Sequence, residues 1–292
     1  MTKLKEALTA GRFAVTSEVG PPKGVNVDKC LEDAESLKAR VTAFNVTDLQ
    51  SSVMRFGSLA TCRLLIDRGM EPILQMTCRD RNRLALQSDL LSAYGLEIRN
   101  VLCLTGDHQQ LGDHPQAKEV FDLDSVQLLQ AAKTLQQGKD MVGNDLDGAP
   151  EFFLGAVVTP GADPLEPQIL KMEKKIKVGA EFFQTQAVYD AEKFKTFIRE
   201  ASRFNVPIMA GIVILKSVGM ARYMNANVAG VNVPEELIEE LKKDKDKTKS
   251  GQTGIEIAVR IIREIKDHCQ GIHLMALGWE DKLPAVLDGA GL

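Results

Sequence analysis

Two acidic residues sit where a chain of this kind could do proton chemistry. Glu18 closes the apolar run FAVTSEVGPP, and the Gly20-Pro21-Pro22 behind it forces the backbone to turn. A carboxylate at the mouth of apolar surroundings loses hydration, which raises its pKa and suits it to general acid work near neutral pH. A rim salt bridge or a helix cap is the plainer use of the same position. Asp107 ends NVLCLTGD, where Gly106 permits a tight turn that brings backbone N–H groups toward a ligand. The alternative there is an ordinary Asp turn or N-cap. His108 and His114 follow in HQQLGDHP, with one nearby Asp; a metal is conceivable, but surface loop histidines are far commoner. Lys175 lies one turn before the glycine that ends its helix, the place of a solvated lysine or a partner for the helix C-terminus. Met209, Met220 and Met224 make either a soft wall for a stacked ligand or core filling.

The elements that must hold these groups follow from periodicity. Short β-branched or aromatic runs bounded by turn residues predict eight strands, beginning near Phe13, Thr42, Glu71, Asn100, Phe152, Glu181, Val206 and Gly271. Between them run helical spacings: Cys30, Ala34, Leu37 and Val41; Leu84, Leu91 and Tyr94; Ile169, Met172 and Ile176; Ile257, Ile261 and Ile265. Eight alternations fit a closed (β/α)8 TIM-type barrel, a single domain over residues 1–292, better than an open doubly wound sheet. No G-x-G-x-x-G follows the first strand, and no G-x-x-x-x-G-K-[ST] occurs. Chemistry in a barrel gathers at strand C-termini, which here read Ser17, Glu18, Thr47, Asp48, Gln75, Thr77, Thr105, Asp107, Thr159, Gln184, Gln186 and Lys216. The Gly/Asp-rich stretch Gln136 to Glu151 and the charged stretch Glu235 to Gly251 read as a surface excursion and a solvated helix end.

Composition narrows the classes. With 44% hydrophobic and 26% charged residues and a net charge of −4, the chain can bury a large core, and no basic, aromatic-interleaved stretch points to nucleic acid. Five cysteines occur singly, with no C-x-x-C pair, so no iron–sulfur cluster and no metal is expected in this chain. Unpaired thiols and a charged N-terminal stretch are expected of a cytoplasmic protein, and no 18-residue apolar run predicts a membrane span.

Taken together, FAVTSEVGPP, NVTDLQSS, QMTCRDRNRLALQSDLL, NVLCLTGDH, VFDLDSVQLL, KVGAEFFQTQAVYD, GIVILKSVGMARYM and GIHLMALGWE resemble the methylenetetrahydrofolate reductase family, in order and over nearly the whole chain. The resemblance runs closest to the short bacterial branch found in acetogens, which lacks a regulatory extension. It implies a flavin-binding barrel with folate stacked on the flavin ring, interconverting 5,10-methylenetetrahydrofolate and 5-methyltetrahydrofolate. By motif match Glu18 is the general acid that protonates N10, and Asp107 holds the pterin and tunes the flavin. Gln186 and Leu277 are implied folate contacts. Thr47, Gly106, Thr159, Asp122 and Lys175 are implied on the cofactor side, the lysine near its phosphate. Relatives carry a histidine, an arginine and a tyrosine around the dinucleotide of FAD where this chain has Gln75, Thr105 and Phe121, so the cofactor is FAD or, with that arginine lost, FMN. Met220 and Met224 stand where relatives present a glutamine and a phenylalanine to nicotinamide. Electrons then come from NAD(P)H or from an iron–sulfur partner subunit, and an oligomer is expected. The competing reading is a non-redox pterin- or folate-binding barrel, of methyltransferase or accessory type; an aldolase version would need a strand-end Schiff-base lysine, for which Lys216 is the nearest residue.

Overall fold

The predicted apolar runs become eight parallel strands in the computed structural model, which describes residues 1–228 and 230–292. They are β1 (Ala14–Val19), β2 (Ala43–Val46), β3 (Pro72–Thr77), β4 (Asn100–Leu104), β5 (Phe153–Val158), β6 (Phe182–Ala187), β7 (Ile208–Val213) and β8 (Gly271–Met275). Each begins within two residues of its predicted start. The strands close in sequence order, and β1 pairs with β8 from Ala14↔Gly271 to Ser17↔Leu274. That last pairing excludes the open sheet and leaves the (β/α)8 barrel, whose ladder has no free edge.

The helices are α1 (Lys3–Thr9), α2 (Asp28–Leu37), α3 (Ser58–Asp67), α4 (Arg83–Gly95), α5 (Ser125–Gln136), α6 (Glu166–Lys177), α7 (Ala191–Ala201), α8 (Val218–Asn227), α9 (Glu235–Lys243), α10 (Lys245–Ser250), α11 (Gln252–Ile265) and α12 (Leu283–Ala290). Local chemistry sets their starts. At α5 the Asp124 carboxylate accepts from Val126 N and Gln127 N at 2.9 Å, while Gln127 Oε1 accepts from Asp124 N at 3.0 Å. Such a capping box stabilises a helix end by about 1 kcal/mol.

In α4 the predicted face is wrong. Leu84 and Leu91, seven residues apart, are 75% and 40% exposed, and the helix buries Leu86, Leu90 and Ala93 instead. Asn82 caps the helix by accepting from Ala85 N at 3.0 Å, and Arg83 is held by Asp122, so the phase that meets the barrel is shifted. Tyr94 is partly buried as expected, under the Arg99 guanidinium at 3.8 Å. The stretch Glu235–Gly251 also differs from a solvated helix end: it forms α9 and α10, and α9 buries Leu237, Ile238 and Leu241. The other stretch, from Gln136, is a surface turn closed by a Lys139↔Asp145 bridge.

Strand alternation fills the barrel in layers. The lower part of the interior, with Ala14, Ala43, Ile73, Phe153, Phe182 and Met209, forms an apolar cluster plugged from below by Leu4, Ala7 and Leu8 of α1. The rings of Phe153 and Phe182 stack at 4.7 Å. Gly155 makes room for them, since a Cβ there would fall 2.3 Å from Phe182 Cζ. Glu71 fixes the plug by accepting from Lys3 N at 2.6 Å and Leu4 N at 2.9 Å, at the positive end of α1. Two residues further up the strands the filling turns polar, with Thr16, Asn45, Gln184 and His273 all buried.

Candidate active site

Above that polar layer a cavity of about 390 Å³ opens at the strand C-termini. Glu18 of β1, Gln75 of β3, Thr105, Gly106 and Asp107 after β4, Thr159 after β5, Lys175 of α6 and Gln186 of β6 all line it. The two acidic residues singled out by sequence thus share one cavity.

The Glu18 side chain is 10% exposed, and its Oε1 accepts from Gln50 Nε2 at 2.9 Å. Burial pushes the carboxyl up to about 7; the Gln50 hydrogen bond opposes the rise and the negative charge of Glu280 adds to it. It therefore holds a proton through much of the neutral range. His273 Nε2 lies 4.0 Å from Glu18 Oε2, but burial lowers the imidazole to about 3, so the contact is not an ion pair near pH 7. The floor beneath is closed by hydrogen bonds. Asn45 and Gln184 exchange amide bonds at 2.7 and 3.0 Å, Gln184 donates to Thr16 Oγ1 at 3.2 Å, and that hydroxyl lies 3.0 Å from His273 Nδ1. Buried polar groups satisfied in this way hold a defined geometry.

Asp107 stands exposed on the rim. Gly106, just before it, has φ +98°, and a Cβ there would lie 3.1 Å from Arg79 Cβ and 3.2 Å from Thr77 Cβ. Only glycine suits both the backbone angle and the close approach. Lys175 is neither solvated nor spent on its helix end. It is 6% exposed, because α6 turns Ile169, Met172 and Lys175 onto one buried face, and its Nζ donates to the Val157 carbonyl at 2.6 Å. Burial, helped by the charge of Lys171, lowers its ammonium to about 8.

Six further residues are not among those lining the cavity: Thr47, Phe121, Asp122, Met220, Met224 and Leu277. Thr47 is buried at the end of β2 with its hydroxyl unpartnered. Phe121 is half-buried at φ +39°. Asp122 accepts from Arg83 N, Nε and NH2 at 2.8 to 2.9 Å, and that guanidinium holds its carboxyl down at about 2. Met220 is half-buried at the start of α8. Met224 is buried and accepts from the Tyr189 hydroxyl at 3.5 Å, a core role. Leu277 is 41% exposed, and its carbonyl takes the Lys216 ammonium, which also lies 5.1 Å from the Trp279 ring centre. His108 and His114 meet Glu119 at 3.1 Å and Asp113 at 2.8 Å, and among the described residues no three ligand-type side chains gather to hold a metal.

Sequence reasoning did not single out Gln50, Arg79, Gln168, Lys171 or His273, all of which line the cavity. His273 had a signal: two residues after the inward Gly271 it shares the inward parity of β8. Arg79 stands two residues past the end of β3, where a charge could have been noted. Gln50 carried none, since it sits in a loop whose path no periodicity reports.

A closed parallel barrel that gathers a protonatable carboxyl, a buried lysine and a polar floor at its C-terminal mouth is of the class of (β/α)8 barrels with a catalytic-type site at that face. The family model described as methylenetetrahydrofolate reductase matches residues 3–291, and the chain belongs to that family. Methylenetetrahydrofolate reductase 2 of Schizosaccharomyces pombe is 28% identical over 88% of this chain, and a probable methylenetetrahydrofolate reductase (NADPH) of Caenorhabditis elegans is 24% identical over 94%. The chain spans 43% and 42% of the length of these two relatives. Among solved structures, a Clostridium thermocellum protein that binds two copies of 5-methyl-5,6,7,8-tetrahydrofolic acid superposes with a TM-score of 0.67, covering 99% of this chain and 98% of that one at 18% identity. A likeness at that identity speaks for the fold.

Proposed function

We propose that this barrel catalyses the methylenetetrahydrofolate reductase reaction, interconverting 5,10-methylenetetrahydrofolate and 5-methyltetrahydrofolate. The observation that carries the reading is Glu18, a carboxyl pushed up to about 7 in the wall of the same cavity that Asp107 and Gln186 line. Reduction of the methylene bridge requires its five-membered ring to open, and opening requires a proton on N10. Glu18, raised to about 7, keeps a protonated fraction near neutral pH that can supply that proton, Gln50 orients the carboxyl, and Asp107 and Gln186 orient the pterin.

The residues present fit a flavin. Lys175 and Lys171 offer positive charge to a phosphate, and the low-φ-cost Gly106 lets the chain approach a flat ring closely. Thr105 and Thr159 offer hydroxyls, and the buried Thr47 hydroxyl beside the site lacks a protein partner. A reduced flavin, when bound, supplies the hydride. Of the two flavins, FAD is the first reading; Gln75 and Thr105, which cannot clamp a second phosphate as an arginine would, make FMN the alternative. Electrons come from NAD(P)H or from an iron–sulfur partner subunit; the second reading is supported by Met220 and Met224 standing where relatives present a glutamine and a phenylalanine to nicotinamide. Among the described residues no helix is long and apolar enough to cross a membrane, and a cytoplasmic site of action fits the five free thiols.

The decisive experiment is Glu18→Gln with both half-reactions followed. Flavin binding and flavin reduction stay at wild-type rate, while folate turnover falls by about a hundredfold or more. Unchanged folate turnover would remove Glu18 as the acid and with it the reading.

A further inference from the structure

Arg79 has 1% of its side chain exposed and lies in the cavity wall, where a buried arginine invites the role of a phosphate clamp. Its donors are already committed. Nε and NH2 hold the two oxygens of Asp80 at 3.0 and 2.7 Å. NH1 donates to Ser52 Oγ at 2.8 Å and to the Asp107 carbonyl at 3.2 Å, and NH2 reaches the Leu49 carbonyl at 3.2 Å. A guanidinium has five N–H donors. All five are used, so a ligand could bind only by displacing a protein acceptor.

The acceptors belong to two loops. Leu49 and Ser52 are in the loop after β2, and Asp107 is in the loop after β4. Leu49, Ser51 and Ser52 have φ of +47°, +55° and +60°. For residues with a side chain this left-handed region costs about 1–2 kcal/mol each, so the path persists only where surrounding contacts over-determine it. Those contacts are visible. Besides Arg79, the Ser52 hydroxyl lies 3.2 and 3.1 Å from the carbonyls of Asp107 and His108, and the strand of loop at Gly112 passes so close that a Cβ would fall 1.9 Å from the Ser52 carbonyl oxygen. Within this constrained loop sits Gln50, whose amide holds Glu18.

We propose that Arg79 is a positioning residue: by fastening the β2 and β4 loops together through Leu49, Ser52 and Asp107, it sets Gln50 against the Glu18 carboxyl and Asp107 on the rim. It touches neither substrate nor cofactor. Paired with Asp80, it adds little net charge to the cavity and acts through geometry.

The inference rests on the proposed function in taking Glu18 as the acid, and the test separates the two. Lysine at 79 places three donors on one point and cannot span both loops; Ser52→Ala loosens the same fastening more gently. The Glu18 titration midpoint, read by carboxyl NMR or by the stability difference with and without Glu18→Gln from about pH 5 to 9, needs no turnover. The Gln50 bond favours the carboxylate, so losing it moves the midpoint upward. Arg79→Lys and Ser52→Ala both raise the midpoint, Gln50→Leu reproduces the rise, and Arg79→Lys lowers folate turnover about tenfold or more with flavin reduction unchanged. Folded variants with an unmoved midpoint overturn the proposal, and should Arg79→Lys not fold, Ser52→Ala decides it. A moved midpoint in a protein that never turns over folate supports the positioning role and sinks the functional reading instead.

Discussion

The lower and upper halves of the barrel interior are built on the same eight strands and serve opposite ends. Below, Phe153, Phe182, Ile73 and Met209 fill the space with hydrocarbon, and α1 seals it. Above, the inward positions hold Thr16, Asn45, Gln184, His273 and Glu18, tied by hydrogen bonds and carrying titratable groups whose proton affinities are displaced by burial. Burial stabilises the lower half and works against the charged groups of the upper half. The comparison teaches that one physical term, removal from water, holds the fold together at one end of a strand and strains a functional group two or four residues further on.

If that division is right, truncations in the two halves have opposite signs. The largest effect is expected below: Phe182→Ala opens a cavity against Phe153 and Gly155 and lowers stability by about 3–5 kcal/mol in chemical denaturation, with the Glu18 midpoint unmoved. A loss under 1 kcal/mol would mean the stack is not load-carrying. Next, Lys175→Met stabilises the ligand-free protein by up to about 3 kcal/mol near pH 7. The sign follows from an ammonium lowered from 10.5 to about 8: the folded state disfavours the charged form, a cost fully present below pH 8 and gone above pH 10.5. The same variant should bind flavin phosphate more weakly, checked by equilibrium dialysis; unchanged retention would take Lys175 out of the cofactor site. Of similar size is Glu18→Gln, expected to raise stability by up to about 3 kcal/mol at pH 8 and by nothing below pH 4.5. There the carboxyl, raised from 4.5 to about 7, favours the fold while protonated and burdens it as pH rises through 7. Equal stability of the two proteins at pH 8 would show that Glu18 is hydrated and ordinary.

Much of the fold was legible because its signals are local. Period-two runs such as FAVTSEV and helical spacings such as Ile257, Ile261 and Ile265 report burial within a few residues of themselves, and α11 buries all three isoleucines as expected. The α4 face was misread because its phase is set by Asn82 and by Asp122, which lies 39 residues from Arg83. Met224 read as ligand wall or, the more frequent use, as core filling, and the structure buries it against the Tyr189 hydroxyl.

What the sequence determined by itself is the alternation that closes into a barrel and the placing of Glu18 and Asp107 at strand ends, since strand order carries end residues to one face whatever the details above it. Only the tertiary structure decided which groups surround them. Gln50 reaches Glu18 across 32 residues, His273 meets Thr16 across 257, and Lys175 is buried by the way α6 docks on β5. The physical reason is that proton affinity depends on the dielectric and the partners within a few ångströms, and those are assembled from segments far apart along the chain.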